Sequence, residues 1–146
     1  MKEIIDWSIE ILELGKRTEV KSMIYVEKNK ERKYAELTNV EIQQYLIAVK
    51  GRGTYIQEIA KKFWANLLKD VIKLLNDVEE LIQCRILLGE ALEDENRPGT
   101  IGIFKDETES VVKQQKAITK SAQVLMKNTV NVLEKELGSQ NHINIE

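Results

Sequence analysis

Few residues in this 146-residue chain are equipped for chemistry. The single histidine, His142, sits in the polar stretch SQNHINIE, and the single cysteine, Cys84, has no histidine placed to activate it. No Cys or His pair has the spacing of metal ligands, and no Glu-x-x-His supports a di-iron bundle. These absences predict a protein that is not an enzyme and needs neither metal nor cofactor. An enzymatic alternative requires a carboxylate pair that only folding brings together.

Cations offer more. KGRG, from Lys50 to Gly53, supplies flexible backbone and two positive charges that could meet a phosphate, but it lacks the Gly-Lys-Ser/Thr ending of a P-loop. Its simpler meaning is a turn between helices. Lys113, Lys116, Lys120 and Lys127 recur at helical spacing and form a basic stripe, either a solvated face or a nucleic-acid contact. YIQEIAKKFW sets Lys61 and Lys62 among aromatics, a pattern of core residues with snorkelling lysines or of a base-stacking platform. Arg52, Lys61, Lys62 and the four stripe lysines are the candidate nucleic-acid contacts.

Arg85 stands apart. It occupies one position of an apolar stripe through Ile56, Ala60, Phe63, Leu67, Val71, Leu74, Val78, Leu81, Leu88 and Leu92, whose steps alternate between four and three. A guanidinium stays charged, and burying it alone is costly. It must reach water along its stem, pair inside the fold, or pair across an interface. The interface alternative makes Arg85, Leu81, Leu88 and Leu92 candidate contacts for a protein partner or a homo-oligomer.

The elements that carry these residues read as helices. The chain is 42% hydrophobic and 32% charged, with one proline, ordinary for a folded helical protein. Its length suits one domain, residues 1–138, followed by a frayed tail at 139–146. A first helix spans about Lys2 to Leu14, with Ile4, Ile5, Trp7, Ile11 and Leu12 on its apolar face and Gly15 as its C-cap. Residues 20–37 have enough β-branched and aromatic character for a small β-hairpin, although helix explains them about equally well.

Three capping-box patterns follow, at Thr38–Glu41, Thr54–Gln57 and Asp106–Glu109. The first opens a helix carrying Ile42, Tyr45, Leu46 and Val49 inward, which KGRG ends. The second opens one very long central helix from Thr54 to Glu93. EDENRPGTIG is a loop, and the last helix runs to about Leu137 with Gly138 as its C-cap. The expected fold class is an all-α helical bundle.

Charge and cysteine content bound the setting. A net charge of −2 argues against whole-chain attraction to nucleic acid, so any such contact must be local. One cysteine forbids an internal disulfide and fits a reducing compartment. No stretch is long and uncharged enough for a membrane span or a signal peptide. The expected location is cytoplasmic, without a membrane partner.

VEELIQCRILLGEAL, from Val78 to Leu92, resembles the segment of GINS-type replication subunits in which an acidic-apolar helix leads to a central arginine and an Ala-Leu ending. The order of EDENRPGTIGIFKDETESVV is also similar, and the likeness covers Leu37 to Lys120. The chain departs from the family at Leu88, where a lysine is usual. It also has only VEIQQYL in place of a Pro-x-x-Phe-Tyr-like element, and only Val20 to Leu37 has strand character where most members add a small β domain. The resemblance implies a non-enzymatic subunit of a tetramer tied to the replicative helicase, with Arg85 supporting the helical core or a subunit contact. The competing expectation is a nucleic-acid-binding helical module resembling the small subunits of CRISPR effector complexes.

Overall fold

The computed structural model of the chain describes residues 1–17, 29–94 and 105–145. Four helices make up nearly all of it: α1 (Lys2–Arg17), α2 (Asn29–Phe63), α3 (Leu68–Glu93) and α4 (Lys105–Ile145), with a 3-10 turn at Ala65–Leu67 leading into α3. The class is all-α, as the helical periodicities require.

Cross-helix pairs give the topology. Between α2 and α3, Asn39 meets Arg85, and Lys50 meets Glu79, so the residue numbers rise on one helix as they fall on the other. Between α3 and α4, Asp70 accepts from Asn128 and Asp77 from Ser121. Between α1 and α2, Trp7 donates to Val49 and Arg52 to Glu10. The α2–α3 and α3–α4 pairs are antiparallel, and α1 packs against both α2 and α4, which closes the bundle. The core between them comprises Ile4, Trp7 and Ile11 of α1, Leu46 and Val49 of α2, Leu74, Leu81 and Leu88 of α3, and Ile118 and Leu125 of α4, among others.

Several boundaries differ from those the sequence predicts, each for a local reason. The expected continuous helix from Thr54 to Glu93 is interrupted at Trp64, whose φ of −135° and ψ of 54° leave the helical region. The Trp64 ring packs against the core at this corner, and the chain folds back to make α2 and α3 a hairpin. Phe63 therefore leaves the apolar stripe and is 64% exposed. Conversely, KGRG does not end a helix. Lys50 to Gly53 lie inside α2, and the Thr54 hydroxyl donates back to the Lys50 carbonyl instead of capping a helix start. Thr38–Glu41 likewise lies within α2, and Tyr45, expected inward, is exposed.

Asn29–Leu37 is helix, so no strand occurs in the described part of the expected hairpin; residues 18–28 lie outside the described residues. Most of the expected EDENRPGTIG loop, 95–104, lies outside them too. Neither Gly15 nor Gly138 caps a helix, because α1 continues to Arg17 and α4 to Ile145, and no glycine among the described residues has positive φ.

Two other glycines serve close packing. Trp7 Nε1 donates to the Val49 carbonyl at 3.0 Å, although that carbonyl is inside a helix. It is reachable because Gly53, one turn later, has no side chain; a Cβ there would collide with the Trp7 ring and lie 2.7 Å from a Leu75 methyl. Gly89 stands one turn after Arg85 and opens the Arg85 carbonyl in the same way.

Candidate functional site

The Arg85 position is built by two helices. On α3, the period of the apolar stripe carries Arg85 inward with Leu81, Leu88 and Leu92, and all four are buried within the monomer. On α2, the buried positions Ala35, Asn39, Ile42, Leu46 and Val49 step by four and three, which places Asn39 opposite Arg85. Arg85 Nη1 donates to Asn39 Oδ1 at 3.1 Å, and Asn39 Nδ2 returns a hydrogen bond to the Arg85 carbonyl at 2.9 Å. Gln43 Nε2 adds a third at 3.3 Å. Burial pulls the Arg85 guanidinium down to about 10, because leaving water disfavours its charged form.

Expectation and structure part here. Arg85, Leu81, Leu88 and Leu92 sit at a helix-helix junction inside the fold, and their side chains are closed to an external partner. Asn39 and Gln43 escape a sequence reading that treats Thr38–Glu41 as a helix start. The signal that marks Asn39 is its phase, since it continues the apolar series of α2 as its one amide.

Cys84 is half-buried next to Arg85, and burial, followed by the nearby Glu80 charge, pushes its thiol up. A raised thiol holds its proton to higher pH, so the thiolate that attacks an alkylating reagent is scarcer. Iodoacetamide at pH 8 is expected to label Cys84 several-fold more slowly in the folded chain than in urea, with the gap narrowing as pH rises; equal rates would contradict this.

The candidate cations divide between helices. Arg52 forms an ion pair with Glu10 of α1, and Lys62 lies over the Phe63 ring, 5.3 Å from its centroid. Lys61 is exposed near the end of α2. Lys113, Lys116, Lys120 and Lys127 are exposed on α4 and form no ion pair among the described residues. Lys120 also lines a shallow groove between α3 and α4 that holds Lys73, Asp70 and Asp77, so the basic stripe is bordered by carboxylates. Three of the seven cations lie on α2 and four on α4.

Two surface features remain. An open groove of about 390 Å³ runs between α1 and α2, with Ile42, Val49 and Leu14 as floor and Glu10, Glu13 and Glu41 at its rim. Among the described residues no three His, Cys, Asp or Glu side chains are placed to hold a metal ion. The second feature is the outward face of α2. Leu37 is 61% exposed, Val40 47%, Ile47 50% and Tyr55 65%, and helical spacing aligns them with Gln44, Gly51, Glu58 and Lys62. A helix whose opposite side already fills the core thus also exposes four large apolar side chains, interleaved with polar ones, on its outer face. Among the described residues no helix is long and apolar enough to cross a membrane. No family model, no curated protein and no solved structure matches the chain.

Proposed function

We propose that the chain is a non-enzymatic helical subunit of a multiprotein assembly and that it docks through the outer face of α2. The observation that carries this reading is the exposed Leu37–Val40–Ile47–Tyr55 series. Single apolar residues on a surface need no explanation, but four exposed at helical spacing along one face support an interaction site. The resemblance of Val78–Leu92 to GINS-type subunits supplies the more specific form of the proposal, a replication subunit working beside the replicative helicase. Arg85 then acts by holding α2 against α3, which keeps the outer face of α2 straight and presented.

A second reading, direct nucleic-acid binding through Lys113, Lys116, Lys120 and Lys127, is favoured by the exposure of all four on α4. Phosphate contacts give binding that weakens steeply with salt, whereas an apolar helix face does not. Co-purification of the tagged chain from its host's extract, with and without nuclease, separates the two. The subunit reading expects the same protein partners in both samples, a helicase among them for its GINS-like form. Partners that vanish with nuclease support the lysine stripe.

A further inference from the structure

We draw no further inference here: the strongest candidate, the apolar groove between α1 and α2, has one of its three rim glutamates already paired with Arg52, and nothing in the structure shows what covers it.

Discussion

Asn39→Leu is expected to cost about 2–3 kcal/mol of folding stability, the range for removing a hydrogen bond to a buried charged group. Asn39 and Arg85 are both fully buried, and their reciprocal hydrogen bonds join α2 to α3. Burial, which disfavours the charged form, pulls the guanidinium down to about 10, so it opposes folding at neutral pH. The sign follows from the direction. A cation whose folded value is lowered is disfavoured in the fold at all pH below that value, and the penalty fades only as pH rises through about 10. Asn39 Oδ1 offsets part of it, and leucine cannot.

Removing the charge as well should undo much of the damage. Asn39→Leu with Arg85→Met replaces the hydrogen-bonded pair by apolar side chains of similar volume, and such replacements are often neutral. The expected order of urea midpoints, read by circular dichroism at 222 nm, is unsubstituted chain, then double variant, then Asn39→Leu alone. A double variant no more stable than the single one would show that Asn39 matters for shape rather than for the charge.

Trp7→Ala is expected to cost about 3–5 kcal/mol, the range for emptying a large aromatic site in a core. Trp7 is 2% exposed, anchors the short α1 to α2, and has its indole N–H satisfied by Val49. Gly53→Ala approaches the same contact from the other side. Alanine gains up to about 1 kcal/mol of helix propensity. Its methyl meets the Trp7 ring, and overpacking of this kind costs about 1–3 kcal/mol. The net expectation is destabilisation.

The two sites are therefore coupled. Trp7→Phe removes the indole atom that the new methyl strikes, so Gly53→Ala should cost less in that background than alone. Equal costs in the two backgrounds would contradict the close approach. The outcome is read from thermal unfolding of the four chains.

The helical class and the buried stripe of α3 were readable because four- and three-residue steps survive whatever interrupts them. Val71, Leu74, Val78, Leu81, Leu88 and Leu92 are all buried as their spacing predicts. Helix ends were less readable. The break at Trp64 has no proline or glycine to announce it, since the tertiary demand to seat an aromatic ring at the corner sets it. KGRG misled in the opposite sense. Two glycines in four residues suggest a turn, yet tertiary packing outweighs a penalty of about 1 kcal/mol each and keeps α2 continuous.

Arg85 was singled out correctly as a misfit on an apolar stripe, but its partner lay 46 residues away, under a capping pattern that looked like a helix start. Pairing the phases of two stripes, rather than reading each alone, is what brings Asn39 to it.

The central claim is that the outer face of α2 assembles and the Arg85 junction only supports it. The most direct test compares co-purification from host extract for three chains: unsubstituted, Ile47→Asp with Tyr55→Asp, and the four stripe lysines replaced by Gln. Each variant is first checked for an unchanged urea midpoint. Assembly is expected to be lost with the α2 face substitutions alone and to be indifferent to the lysines and to nuclease. Assembly that survives the α2 substitutions and disappears with the lysines would contradict it and move the function to α4.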